Sequence, residues 1–479
     1  MNGKPLFFWL GLMGAGFGLG SNLSLAAQNG GALTLQSVLT APLTQQYGVM
    51  GAAADLADAK ANQALVDSWY DPTVSVHGHL RAIEPSQAAT DPNTRYDNAL
   101  GISARQRLYD FGRQSLRSEA AKSGVTGAEL TVFSVEQQQR LALLKAFFAV
   151  LLADQTYTLQ NERMAVDFVR LDKAKDRQEL GLASEYDLAV LQRAYEEVSF
   201  ARARADVERR LTRRQLAELL GTPDQIPATL APPKLAALAT QKPPEFESII
   251  KNLLADNPGL QALRAGYRAS EQSLKAARDH NAPTIYAEVN GDYYQRELGS
   301  RDPLRAGVYI DFPLYDGGAR DASIGKAQAA RMRLAAKIAE REAALREAAA
   351  STLELIEVYR TAATRRVKAL EHYSDLNFTR KQTLYQMEKA TDLGDAMAEE
   401  SAAQLERMRA TYALATYWAQ LALLQGEPID RLLTPAPARL YLRSPNHEFF
   451  CCPSFYSWAF FDGLARRARC FLPALGFSR

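Results

Sequence analysis

KAQAARMRLAAKIAEREAALREAAASTLELIEVYRTAATRRVKALEHYSDLNFTRKQTLYQMEKATDL, running from Lys326 to Leu393, is a stretch with neither glycine nor proline. At 1.5 Å per residue it predicts a helix of about 100 Å, three times the thickness of a bilayer core. That is too long for a compact domain, and the charges along it exclude a membrane span. Leu334, Ile338, Leu345, Ala349, Thr352, Ile356, Tyr359, Ala363, Val367 and Leu370 recur in steps of three, four or seven. Such spacing marks a coiled-coil seam. Alanines between the seam positions favour helix and let neighbours approach closely, so packing on more than one side is expected.

Outward from this stretch, the chain reads as two copies of one unit, with matching motifs about 205 to 211 positions apart. Tyr70-Asp71-Pro72 and Asn281-Ala282-Pro283 each end a helical segment, Thr44 to Trp69 in the first copy and Phe246 to Asn281, kinked at Pro258, in the second. Alternating strands follow. Val74, Val76 and Leu80 line one face in the first copy, and Ile285, Ala287, Val289 and Gly291 in the second. After a polar loop, the second strand of each hairpin carries Leu100, Ile102, Ala104, Gln106 and Leu108, or Ala306, Val308, Ile310, Phe312 and Leu314.

Both hairpins end in nearly the same words, Leu108-Tyr-Asp-Phe-Gly112 and Leu314-Tyr-Asp-Gly-Gly318. Asp110 and Asp316 are natural helix N-caps, and Gly112, Gly317 and Gly318 let the chain turn directly from strand into helix. Each long helix then runs to a glycine, Gly181 or Gly394, and a shorter helix returns, Leu182 to Leu220 or Asp395 to Gln425. Asp187 and Asp392 lie near these breaks, at nearly matching distances past Asp110 and Asp316. The return helix stacked on the helix before the hairpin matches the long helix in length. The resulting division is a first repeat over 28–221, a Pro-rich linker over 222–244, a second repeat over 245–426 and an irregular extension over 427–479.

The segment 1–27 reads as a signal peptide: Lys4 in a short n-region, an apolar Leu6 to Leu19, and Leu25-Ala26-Ala27 before a cleavage point near Gln28. An N-terminal anchor is the alternative, although about fourteen apolar residues are short for a span. Cys451, Cys452 and Cys470 all fall in the C-terminal extension, so the repeats use neither disulfides nor thiolate metal sites. No later stretch of eighteen apolar residues occurs, so membrane entry would be by strands. With 47% hydrophobic residues, 23% charged residues and a net charge of +2, the composition gives no case for a nucleic-acid partner.

The ordered duplication, the Leu-Tyr-Asp-x-Gly junctions, Asp256-Asn257-Pro258 and the Asp392/Asp395 turn make residues 33 to 430 resemble the TolC-like family of outer-membrane efflux and secretion channels. The resemblance implies a mainly α fold with β: a homotrimeric α/β-barrel channel. Each chain would give two β-hairpins to a shared outer-membrane barrel and its helices to a coiled-coil tunnel across the periplasm. It implies outer-membrane lipid around the barrel, a periplasmic adaptor (membrane fusion) protein at the helical tips, and an inner-membrane pump or ABC transporter as the energy source. Asp392 and Asp395 align with the acidic rings at the closed end of such channels. Six carboxylates from three copies would attract cations, and their repulsion would raise some pKa values. Gly181 and Gly394 mark the turns expected to move on opening, and Asp187 resembles a hinge-contact position. Here the sequence departs from the family, because Glu388-Lys389-Ala390 replaces the usual Gly- and Arg-containing turn and leaves Asp187 without an evident basic partner.

Two hairpins cannot satisfy their own edges in lipid, so closure needs more strands or more chains. Tyr286, Glu288, Asn290 and Asp292 would then face water inside the barrel. Enzymatic readings find no nucleotide, hydrolase or metalloprotease signature, and no cofactor is expected. His77 and His79 share a strand face without a third ligand nearby and read as surface histidines, not a metal site. A solvated charged pair is the plain alternative for Asp392 and Asp395, and a surface hairpin the plain alternative for the strands. The competing whole-chain reading is a periplasmic coiled-coil adaptor or scaffold without a pore.

Overall fold

A computed structural model describes residues 32–84, 95–225, 227–295, 301–387 and 393–430. The expectations for the signal peptide, for Asp392 with the turn before it, and for the cysteine-containing extension fall outside these residues. In chain order the elements are α1 (Leu35–Leu39), α2 (Tyr47–Asp67), a 3-10 turn (Ser68–Tyr70), β1 (Thr73–His79), β2 (Ala99–Tyr109), α3 (Arg113–Glu179) and α4 (Glu185–Leu219). The second copy follows as α5 (Phe246–Asp256), α6 (Pro258–Arg278), β3 (Thr284–Tyr294), β4 (Leu304–Asp311), α7 (Ala319–Val358), α8 (Thr364–Gln386) and α9 (Leu393–Leu424).

The long helix of the first repeat, α3, has 67 residues. Its counterpart is not uninterrupted. Between α7 and α8 lies one π-helical segment, Tyr359–Ala363, where the Thr364 hydroxyl donates to the Tyr359 carbonyl at 3.0 Å. The wider turn sets the Tyr359 ring against Tyr417 of α9, with centroids 5.3 Å apart. All ten seam positions from Leu334 to Leu370 are buried or half-buried, so the seam keeps its face across this insertion. The helix also stops at Gln386, short of Leu393.

The segment before the second hairpin is likewise two helices where one kinked helix was expected. Asn257 leaves the helical region at ψ 119°, its side chain accepts from the Leu260 amide at 3.0 Å, and Pro258 takes the first helical position. The Asn257 amide also donates to the Leu424 carbonyl at 2.9 Å, tying this break to the end of α9. An N-cap followed by proline starts a helix and does not bend one.

The core lies where α3, α4, α7 and α9 meet α1, α5 and the 229–239 segment. Phe147 and Leu216 are fully buried, and Phe148 stacks on Tyr412 with ring centroids 4.4 Å apart. The Pro-rich segment wraps this core: Leu33 pairs with Leu230, and Leu235 and Leu238 bury against Leu35 and Phe148. Among the described helices, α3 holds a window apolar enough to cross a membrane, and half of that window is buried in this core.

Candidate functional site

Strands β1 to β4 form one antiparallel sheet in the order β1-β2-β3-β4, so the two hairpins join through β2 and β3. Val74 pairs with Ala104, Val76 with Ile102, Ala104 with Val289, and Ala287 with Val308. Because side chains alternate strictly, this register puts the apolar sets of all four strands on one face. That face is open: Val76 is 71% exposed, Ile102 52%, and Val308 69%. The two outer edges, on β1 and β4, have no strand partner among the described residues.

The opposite face is a polar lattice. Ser75 and Ser103 hydroxyls meet at 2.7 Å. The Arg105 guanidinium donates to Glu288 at 2.7 Å, and Asn290 donates to the other Glu288 oxygen at 2.8 Å. Asp292 accepts from Arg305 at 2.7 Å and lies 2.9 Å from His77 Nε2. Tyr286, Glu288, Asn290 and Asp292 thus share one face, as their alternation requires. Among the described residues no group of His, Cys, Asp or Glu side chains is placed to hold a metal ion. Sequence reasoning missed Arg105 and Arg305 as partners of this row; the register between β2 and β3, strands of different repeats, brings Arg105 there, and the register between β3 and β4 brings Arg305.

Both strand-to-helix junctions use two consecutive residues of positive φ, Phe111 and Gly112 at 59° and 88°, and Gly317 and Gly318 at 68° and 87°. The glycines, not the aspartates, occupy the N-cap positions. The aspartates still cap from two residues back: Asp110 accepts from the Gln114 amide at 2.7 Å and Asp316 from the Arg320 amide at 2.8 Å. A left-handed pair folds the aspartate over the helix end, so its carboxylate reaches the free amides. Asp110 is completely buried and also accepts from the Tyr70 hydroxyl at 2.8 Å. Partial burial first, then the bond to Asp110, pushes the Tyr70 hydroxyl up to about 12.

At the far end of α3, Gly181 has φ 74°, its amide donates to the Gln178 carbonyl at 2.9 Å, and the Leu182 amide donates to the Arg177 carbonyl at 2.8 Å. This is a Schellman stop, which needs the left-handed residue. Ser184 then caps α4, with Asp187 completing a capping box: the Ser184 hydroxyl accepts from the Asp187 amide at 3.1 Å, and the Asp187 carboxylate accepts from the Ser184 amide at 3.2 Å. The Ser184 hydroxyl bond, and then its amide, hold the Asp187 carboxyl below its ordinary 3.8. A carboxyl depressed by folding stabilises above its unfolded pKa and loses that contribution as pH falls through the folded value. Asp187→Ala is therefore expected to melt below wild type at neutral pH, and the gap in Tm should narrow as the pH drops below about 3.8.

Gly394 does not interrupt a helix. It is the second residue of α9, where an added Cβ would stand 2.6 Å from Val166 Cγ2 on α3. One residue on, Asp395 pairs with Arg170 Nη2, and Arg170 Nη1 donates to Asp167 at 3.2 Å. Arg170 had no signal in the sequence, because its role depends on α9 packing against α3. Asp187 and Asp395 both belong to first turns of helices that pack along α3, α4 and α9 respectively.

The sheet has one open apolar face and edges without a strand partner among the described residues, it is joined directly to a helix of 67 residues, and this fold is shared with solved outer-membrane channels. The comparisons agree. The outer-membrane channel CmeC of Campylobacter jejuni superposes with a TM-score of 0.65 at 13% identity, covering 82% of this chain and 84% of CmeC. Among curated proteins, CyaE of Bordetella pertussis is 25% identical over 309 residues, 61% of this chain and 64% of CyaE. The outer membrane efflux protein BepC of Brucella suis is 23% identical over 304 residues, with the same two shares. The chain thus spans 64% of the length of each of these curated relatives. No family model matches it.

Proposed function

We propose that this chain is one protomer of a homotrimeric outer-membrane channel, the exit duct of a tripartite efflux pump or type I secretion system in a Gram-negative cell. The observation that carries this reading is the sheet: four strands with a continuous exposed apolar face, a charged opposite face and two edges that have no strand partner among the described residues. In water such edges invite aggregation, whereas three copies joined edge to edge in lipid leave none. The helices extend the duct across the periplasm to an adaptor and an inner-membrane transporter, which supplies the energy. Similarity to an outer membrane efflux protein supports export as the task. The duct itself performs no chemistry. The adaptor or scaffold reading explains the helices but not a sheet with an apolar outer face.

Asp395, with Asp392, forms the cation-binding constriction in this proposal, and the turns near Gly181 and Gly394 move when it opens. Single-channel recording in planar bilayers tests both levels. The expected result is a small, cation-selective conductance that loses selectivity with Asp392→Ala and Asp395→Ala together. Unaltered selectivity removes the aspartates from the constriction and leaves the channel standing. A folded protein that passes no current supports the scaffold.

A further inference from the structure

Three observations meet at the start of α9. Gly394 allows its backbone to press on Val166, Asp395 pairs with Arg170, and Arg170 sits one helical turn beyond Val166 on the same side of α3. Arg170 also holds Asp167, so one guanidinium is shared between two carboxylates. The side chains of Arg170 and Asp395 are 37% and 39% exposed, so the pair is wet enough to exchange but is fixed by the packing beneath it. The acid proposed to meet passing cations therefore already has an internal cation.

We propose that Arg170 is the positioning residue of Asp395: it aims the carboxylate, neutralises part of its charge, and so sets how strongly the constriction holds a cation. This rests on the channel reading above. The logic is competition, since a carboxylate oxygen engaged by a guanidinium is not offered to a metal ion. The surplus is one negative charge per chain from Asp167, Asp395 and Arg170 taken together. Guanidinium is the group suited to this sharing, because its planar fork serves two carboxylates at once, while an ammonium is a single point charge.

The test is block of the potassium current by Mg2+, a hard cation that takes oxygen ligands, measured on the full-length purified protein in planar bilayers. Arg170→Gln is expected to tighten Mg2+ block about fivefold, the worth of one partly exposed ion pair. Asp395→Asn is expected to weaken block, and Arg170→Gln added to Asp395→Asn should produce no tightening. Arg170→Lys, which keeps the charge but loses the fork, should fall between wild type and Arg170→Gln. Circular dichroism of each variant checks that helicity is retained. The proposal is overturned if Arg170→Gln leaves block unchanged, or tightens it equally in the Asp395→Asn background, because the arginine then acts as a free surface charge. A folded wild-type protein without conductance overturns instead the channel reading on which the proposal rests.

Discussion

Asp110→Ala is expected to cost the folded protein about 3 kcal/mol, and Asp316→Ala only about 1 kcal/mol, although the two aspartates stand in the same words of a duplicated sequence. Asp110 has no exposed surface, and its two oxygens take the Tyr70 hydroxyl and the Gln114 amide, with Arg113 Nε 3.9 Å away. Its loss leaves the buried Gln114 amide and the Tyr70 hydroxyl without their acceptor, and leaves a guanidinium that is itself only 12% exposed without its acid. Asp316 is 17% exposed, and its two amide partners, Gly318 and Arg320, are exposed enough for water to replace the carboxylate. Urea denaturation of the detergent-solubilised protein measures the difference. Equal destabilisation by the two substitutions would show that the junctions are held by the caps alone. Asp110→Asn is informative beside them: its oxygen can still accept from the Gln114 amide and its NH2 can donate to the Tyr70 hydroxyl oxygen, but the charge facing Arg113 is gone, so it should lie between Asp110→Ala and wild type.

This asymmetry shows which part of the fold was legible. The seam of the long helix, the phase of the strands and the repeat itself are encoded locally, in spacings of three, four and two, and the structure keeps them: every seam residue from Leu334 to Leu370 is at least half-buried. The breaks were less legible. A π segment at Tyr359–Ala363 leaves no glycine or proline behind, because it is selected by the partner helix carrying Tyr417. Gly394 looked like a helix breaker and is a contact residue, since glycine serves equally to turn a chain and to let two helices approach. Phe111 occupies a left-handed position that its duplicate fills with Gly317, and only the backbone shows the equivalence. Partnerships across repeats, Arg105 with Glu288 and His77 with Asp292, depend on how the hairpins pair and could not be read from either hairpin alone. The same holds for Arg170 and Asp395, which lie 225 positions apart in the chain.

Ile102→Arg is expected to destabilise the membrane-inserted state by about 2–4 kcal/mol per chain, while Ser103→Arg, one residue along the same strand, should be nearly neutral. Ile102 pairs with Val76 and Gly291 on the open apolar face and is 52% exposed in the single chain. Ser103 pairs with Ser75 and Asn290 on the polar face, where water would solvate the added charge. The two sites share strand, partner strands and helix connections, so a general effect on folding would strike both. What separates them is only the medium each face meets. In lipid the charge on the Ile102 face cannot be hydrated, and three copies would carry the cost three times; the variant should fail to form a trimer that fractionates with outer membranes and resists urea extraction. In a periplasmic scaffold the same face would be in water, where replacing an exposed isoleucine by arginine changes stability by no more than about 0.5 kcal/mol and improves solubility. Loss of the membrane-bound trimer with Ile102→Arg but not with Ser103→Arg therefore assigns the apolar face to lipid. Equal tolerance of both substitutions would take the sheet out of the membrane, and with it the channel.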